Sequence, residues 1–475
     1  ITDAVKAGEN TIAVKTDNDW QFRERAKGSD GQERNAKFQW HDHNFYANYG
    51  GLPKGVTLHV TNKVYQTLPL YRNLGTTGVY IYGKNYNIKK HSATVHAESQ
   101  VKNESATAKT FSYEVTVKEI DGKVLKTFKG GNITVKSGET AVAKAEANLT
   151  GLHFWSVGYG YLYDVETVLK DAEGNVFDKV VTRTGFRKTK FADGKIWLND
   201  RIIMMKGYAP RSTNEWPALG QSAPAWMSDF SNRMVVDGNG NFFRWMHVTP
   251  AKKDIESCDR VGLIQVMPFG DSEKDREGKQ WEQRCELARD AIIYNRNNPS
   301  ILFYECGNKG ISEDHMKEMK AIRDQYDPYG GRAIGCREML NNATAAEYGG
   351  EMLYINKSAS KPVWAMEYCR DEALRRYWDD WSSPYHKEGV GPLYRGDDAS
   401  AYNHNGDQFA VEMVRRWFDY WQERPGTGDR ISNGGTKIVF SDTNTHNRSE
   451  SNYRTSGVVD AMRLPKDAFY AHQVM

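Results

Sequence analysis

Two stretches place a carboxylic acid at the end of an otherwise apolar and aromatic run. "ILFYECGNKGIS" (301–312) carries Glu305, then Asn308 and Lys309, and "PVWAMEY" (362–368) carries Glu367. A carboxylate in such a run is costly to bury without a partner. Two carboxyl groups about 5 Å apart across a sugar perform retaining glycoside hydrolysis, one as acid/base and one as nucleophile, whereas a wider gap gives inversion. "NFFRWMH" (241–247) adds Arg244 and His247, which could bind substrate hydroxyls, hold a catalytic carboxylate, or form a plain ion pair. Structural ion pairs are the rival for the acids as well: Glu367 with Arg370, and Glu305 with Lys309. Glu313 and Asp314 read as charges at a helix N-terminus.

These residues need elements to position them. Residues 1 to about 187 read as all-β, with alternating runs such as "VTLHVTNKVY", "ATVHAESQV", "FSYEVTVKEI" and "YDVETVLKD". Asp121-Gly122 and Gly174-Asn175 supply the residues that hairpin turns need. Spacing near ten residues per strand fits sandwiches, and a break near Leu74-Gly75 divides two of them. After "GFRKTKFADGKIWLND" the texture changes. Short apolar runs at 202–207, 240–247, 262–268, 300–308, 332–338, 351–356, 362–368 and 436–442 alternate with helix-like stretches. One of these, "SEDHMKEMKAIRDQY", opens on Ser312 as N-cap. Eight strands alternating with helices predict a (β/α)8 TIM barrel, whose reacting groups sit at the C-terminal ends of strands. The gap before the last strand is long enough to predict an extra lobe over the barrel mouth. Glu305 then closes strand four and Glu367 closes strand seven. The expectation is a multidomain chain: a jelly-roll β-sandwich part over 1–74, an immunoglobulin-like β-sandwich over 75–187, and a catalytic barrel over 188–475.

Composition narrows the partners. The 475 residues are 12% aromatic, with 13 Trp and 26 Tyr, a richness that suits sugar stacking and aromatic β cores alike. The net charge of +3 and the lack of a Lys/Arg tract point away from nucleic acid. No apolar run approaches 18 residues, so no membrane span is expected. Cys258, Cys285, Cys306, Cys336 and Cys369 show neither a disulfide framework nor metal-ligand spacing. "ITDAVKAGENTIAVKTDN" is not a signal peptide and reads as a strand met mid-domain; "LPKDAFYAHQVM" stops inside a helix. A piece of a longer chain is expected.

In this order along the chain, the motifs resemble glycoside hydrolase family 2, the β-galactosidase and β-glucuronidase group. "NFYANYGGLPKGVTLHVTNKVY" is similar to the late part of the family's jelly roll, and "LHFWSVGYGYLYDVETVL" to the end of its immunoglobulin-like domain. "GFRKTKFADGKIWLNDRIIMMKGYAPR" is similar to its approach to the barrel, "FFRWMHVTP" to its Arg-x-x-His motif, and "NNPSILFYECGN" and "PVWAMEY" to its strand-four and nucleophile segments. The resemblance implies that Glu367 is the nucleophile and that Asn308 binds the 2-hydroxyl beside the scissile bond. It also locates a departure: the family has the acid/base glutamate directly after this asparagine, where Lys309 stands. A lysine with a pKa near 10.4 holds its proton too tightly for that role. Glu305 is therefore expected to take over as acid/base, with Lys309 tuning it or binding a substrate anion.

A second departure is Arg370, where β-galactosidases tend to have His. With Arg244, Lys309 and Arg337 it makes the expected pocket cationic, suited to carboxylate or sulfate. His247, Tyr354 in "EMLYIN" and Asp442 in "DTNTHN" complete the expected substrate-binding set. The activity implied is a retaining exo-β-glycosidase of β-galactosidase type. Its substrates would be oligosaccharides, with sulfated or anionic algal galactans in view. The alternatives are a β-glucuronidase-type enzyme and a catalytically silent sugar-binding relative. No cofactor is required by this reading, and no metal ligands stand out, although some family members use a divalent cation. Oligomerisation is left open, and a bacterial periplasmic or secreted location is expected, with the cytoplasm as the alternative.

Overall fold

The computed structural model describes residues 2–16, 25–27, 33–35, 51–52, 54–210, 216–220, 222–270, 274–340, 343–351, 358–368, 432–442 and 457–475. The jelly-roll expectation for 1–74 falls partly outside them, and the extra lobe before the last barrel strand, Tyr354 and Arg370 fall wholly outside.

Residues 64–184 form two antiparallel sheets. One joins Val64–Gln66, Val79–Asn87, Ser92–Asn103 and Thr140–Thr150; the other joins Val176–Thr184, Tyr163–Lys170, Lys109–Glu119, Val124–Lys129 and Ile133–Val135. Ser92–Asn103 alternates strictly between buried and half-exposed positions. That is the period-two pattern of a strand with one face on a core. Val95, Ala97, Val101, Tyr113, Val115, Val117, Tyr163 and Val165 fill the space between the sheets. The predicted hairpins form, with Gly122 at φ 94° and Gly174 at φ 90°. The sandwich starts earlier than the expected boundary at 75, because Val64–Gln66 pairs with Val101–Asn103.

A three-stranded antiparallel sheet (Thr189–Ala192, Lys195–Leu198, Arg201–Ile203) links the sandwich to the barrel. The run expected as one strand at 202–207 is thus split. Its first part belongs to this small sheet, and Met205–Tyr208 opens the barrel.

Eight parallel strands follow in chain order: Met205–Tyr208, Phe242–Arg244, Ile264–Pro268, Ile301–Glu305, Ala333–Gly335, Gly349–Glu351, Val363–Tyr368 and Gly434–Lys437. The first pairs with the eighth, and a parallel bridge between Gly335 and Tyr348 closes the ring between the fifth and sixth. Helices at Ala225–Asp237, Lys252–Val261, Gly278–Asn295 and Glu313–Tyr326 alternate with the first five strands. Ser312 caps the last of these by accepting from the His315 amide at 3.2 Å. No described helix is long and apolar enough to cross a membrane.

Sandwich and barrel meet through buried polar contacts. Tyr80 of the sandwich and Tyr304 of the fourth barrel strand both donate to Asp327, at 2.7 and 2.8 Å, and Arg332 pairs with the same carboxylate at 2.8 Å. The Trp155 indole donates to the carbonyl of Asp259 at 2.8 Å. Gly160 allows the close approach there, since a side chain would collide with the Asp259 and Arg260 carbonyls.

Candidate active site

Phe242, Phe303 and Trp364, from the second, fourth and seventh strands, form an aromatic layer inside the barrel, with centroid distances of 4.9 to 6.0 Å. Tyr348 stacks on Trp364 at 4.7 Å. Side chains two residues on share the same face of a strand, so Arg244 and Glu305 stand one layer above Phe242 and Phe303, toward the C-terminal mouth. Glu367 lies three residues past Trp364 and by parity would point the other way. The seventh strand carries one extra residue against the eighth between Ala365 and Tyr368. Such a bulge re-aims the side chains that follow it, and Glu367 joins the same layer.

The result is one buried cluster. The Arg244 guanidinium, fully buried, donates from Nε to Glu305 Oε2 at 2.6 Å and from Nη2 to Glu305 Oε1 at 2.8 Å. Nη2 also reaches Asn308 Oδ1 at 2.9 Å, and Nη1 reaches Glu367 Oε1 at 2.8 Å. His247 Nε2 lies 3.7 Å and Arg337 Nη1 3.9 Å from that same Glu367 oxygen. Burial alone would drive Arg244 toward its neutral form, but the Glu305 and Glu367 carboxylates outweigh it and raise its pKa above the ordinary value. The cluster is thus a permanent cation between two acids.

The turn after the fourth strand is fixed from the fifth. The Cys336 thiol bonds to the carbonyls of Gly307 and Lys309 at 3.0 and 2.8 Å, the Arg337 amide bonds to the Gly307 carbonyl at 3.3 Å, and Arg337 Nε donates to the Asn308 carbonyl. Asn308 is buried, with its side-chain oxygen on Arg244.

The expected site residues separate into three groups. Arg244, His247, Glu305, Asn308, Arg337 and Glu367 come together. Lys309 projects from the rim, nearly half exposed, and pairs with Glu338 at 3.3 Å. Asp442 bonds to Lys466 at 2.8 Å and accepts from the Gly457 amide at 3.0 Å, bracing the segment after the last strand.

The acid/base role expected of Glu305 does not fit this geometry. Its side chain is wholly buried and both oxygens accept from one guanidinium, so neither is presented to a leaving group at the mouth. The ion pair that Lys309 makes is with Glu338. Glu338, which the sequence reading did not single out, lies three residues past the fifth strand in "RAIGCRE", against Lys309 and Arg337. Among the described residues, no group of three His, Cys, Asp or Glu could hold a metal ion.

Sheets and site together define a multidomain protein of β-sandwich and (β/α)8-barrel build, with a carboxylate–guanidinium cluster at the barrel mouth. A family model described as glycosyl hydrolases family 2 matches residues 79–187. Over its whole length the chain is 32% identical to a β-glucuronidase of Formosa agariphila, of which it covers 47%. It is 23% identical to the β-galactosidase large subunit of Leuconostoc lactis, over 51% of this chain and 39% of that one. Among solved structures, a β-glucuronidase from glycoside hydrolase family 2 aligns with 87% of this chain and 43% of its own length, at 30% identity and a TM-score of 0.73. The apo structure of Bacteroides uniformis β-glucuronidase 3 shares the fold, with a TM-score of 0.67 at 18% identity over 90% of this chain and 54% of that one. The chain belongs to glycoside hydrolase family 2. It spans about half the length of the first of these relatives.

Proposed function

We propose that the chain carries the catalytic barrel of a retaining β-glycosidase that removes a terminal β-linked sugar from an oligosaccharide, with Glu367 as the nucleophile. The observation that carries this reading is the grip on Glu367. One oxygen accepts from Arg244 at 2.8 Å, with His247 and Arg337 within 4 Å, at the C-terminal end of a barrel strand. A nucleophile must be ionised and aimed, and a buried guanidinium fixed from its other side by Glu305 does both. Asn308 in the same cluster suits the sugar 2-hydroxyl, whose hydrogen bonds strengthen in the transition state.

For the sugar, a uronic acid is favoured over the galactose-type residue, including that of a sulfated or anionic galactan, expected from sequence. Arg337 at the rim of the cluster and Lys309 beside it offer charge-assisted bonds to a carboxylate. The relative at 32% identity is called a β-glucuronidase. The galactoside reading is kept as the second, because Lys309 and Arg337 already meet a protein carboxylate in Glu338. Labelling with 2-deoxy-2-fluoro-glucuronyl fluoride and its galactosyl counterpart tests both. An ester on Glu367 from the uronic reagent is expected. An ester from the galactosyl reagent alone moves the specificity to galactosides, and no ester from either leaves a sugar-binding relative without catalysis.

A further inference from the structure

Retaining hydrolysis needs a second carboxyl group, and the two positions from which it was expected do not supply one. Position 309 is lysine, and Glu305 is sealed beneath Arg244. The geometry points to Glu338 as the acid/base. This inference rests on the glycosidase reading above and adds its missing proton donor.

Four observations carry it. Glu338 lies three residues past the C-terminal end of the fifth barrel strand, as Asn308 lies three past the end of the neighbouring fourth. Its carboxylate is 3.3 Å from the Lys309 ammonium and 3.5 Å from the Gly310 amide, so it occupies the neighbourhood of the residue after Asn308. Arg337 bridges it to the nucleophile: Nη2 is 3.7 Å from Glu338 Oε1 and Nη1 is 3.9 Å from Glu367 Oε1. One guanidinium spans the two acids, so the oxygens it joins lie within about 10 Å of each other; the ~5 Å that retention uses requires the half-exposed Glu338 side chain to turn from Lys309 toward Glu367. Finally, Glu338 has φ +69°, a left-handed backbone that glutamate seldom adopts. It is held there by its amide on the Gly350 carbonyl at 2.7 Å and by its neighbour Arg337 on Gly307. Strain of this kind collects at functional sites.

The 42% exposure of the Glu338 side chain, against none for Glu305, also matters. A leaving group and the water that follows it must reach the acid. In the first step the Glu338 carboxyl gives its proton to the glycosidic oxygen as the anomeric C–O bond breaks and Glu367 bonds to the anomeric carbon. In the second, the Glu338 carboxylate takes a proton from water as that water attacks the same carbon, releasing the sugar with its configuration retained and restoring both acids. A carboxylate on the substrate would compete for Lys309 and Arg337 and free Glu338 for this exchange.

The test uses phenyl and 2,4-dinitrophenyl β-glycosides of glucuronic acid and of galactose, with Glu338→Gln and Glu338→Ala. Turnover of the phenyl glycosides should fall about 10²- to 10⁴-fold, while formation of the glycosyl-enzyme from dinitrophenyl glycosides, which need no proton, should be nearly unchanged. Azide should restore turnover of the dinitrophenyl glycosides by Glu338→Ala and give a β-glycosyl azide. Equal losses on both leaving groups, no loss on either, or no azide product would overturn the assignment. Unchanged unfolding curves for the variants exclude misfolding as the cause. If the parent chain still forms an ester on Glu367, the proposal on Glu338 falls alone; if the parent neither forms the ester nor hydrolyses any of these glycosides, the glycosidase reading falls with it.

Discussion

Arg244 and Glu367 meet at the barrel mouth with Nη1 2.8 Å from Oε1, while the opposite edge of the same guanidinium is locked on Glu305. The proposed nucleophile is therefore aimed by a residue that is itself immobilised by a second acid. The consequence is a cluster in which each member fails differently when replaced.

Arg244→Lys keeps the charge but cannot span Glu305, Asn308 and Glu367 together. We expect kcat/KM on 4-nitrophenyl β-glycosides to fall by about 10²-fold or more, the loss that follows misplacement of a reacting group. Arg244→Ala should also cost about 3–5 kcal/mol of stability, because two buried carboxylates lose the guanidinium they share. Urea unfolding measures this, and an unchanged midpoint would show the cluster to be energetically idle.

Glu305→Gln separates positioning from proton transfer. As a positioning residue Glu305 should cost about 10²-fold in kcat, by the same factor for phenyl and 2,4-dinitrophenyl leaving groups. A loss confined to the phenyl substrates would return the acid/base role to Glu305.

Asp327 ties sandwich to barrel by accepting from Tyr80 and Tyr304 and pairing with Arg332. Asp327→Asn leaves the buried Arg332 without its counter-charge and should cost about 3–5 kcal/mol. Tyr80→Phe should cost about 1 kcal/mol, for one hydrogen bond. If thermal unfolding of Asp327→Asn matches the parent, the Asp327 cluster contributes nothing to holding the two units together.

Asp259 predicts a pH dependence. Burial pushes its carboxyl up to about 6, against the partly compensating hydrogen bonds from Ser300 and Asn298. In this case the folded pKa lies above the unfolded one. The native state therefore binds the extra proton between about pH 4 and 6, and the stability it contributes is present below that window and lost as pH rises through it. Two units correspond to about 3 kcal/mol. Comparing unfolding free energies of Asp259→Asn and the parent from pH 4 to 7 should show the variant gaining on the parent as pH rises; parallel curves would refute the shift.

The alternation of Ser92–Asn103, the turns at Gly122 and Gly174, the N-cap at Ser312 and the recurring apolar strands of the barrel were all legible in the chain. Each depends on residues close in sequence, and local periodicity reports them. Glu367, Arg244 and Asn308 were legible as chemistry because charged and amide groups at the ends of buried strands demand partners.

What the sequence could not express was who partners whom. Glu305 lies four residues from Lys309 but 61 from Arg244, and only closure of the barrel brings the guanidinium to it. Strand parity alone turns Glu367 from its layer, and only the bulge against the eighth strand returns it. Glu338 is an unremarkable acid in the chain, and it gains a place beside Lys309 and Arg337 because neighbouring strands end at the same height. Periodicity fixes which face a residue takes within its own strand; register between strands decides which charges share a cavity, and register belongs to the assembled sheet.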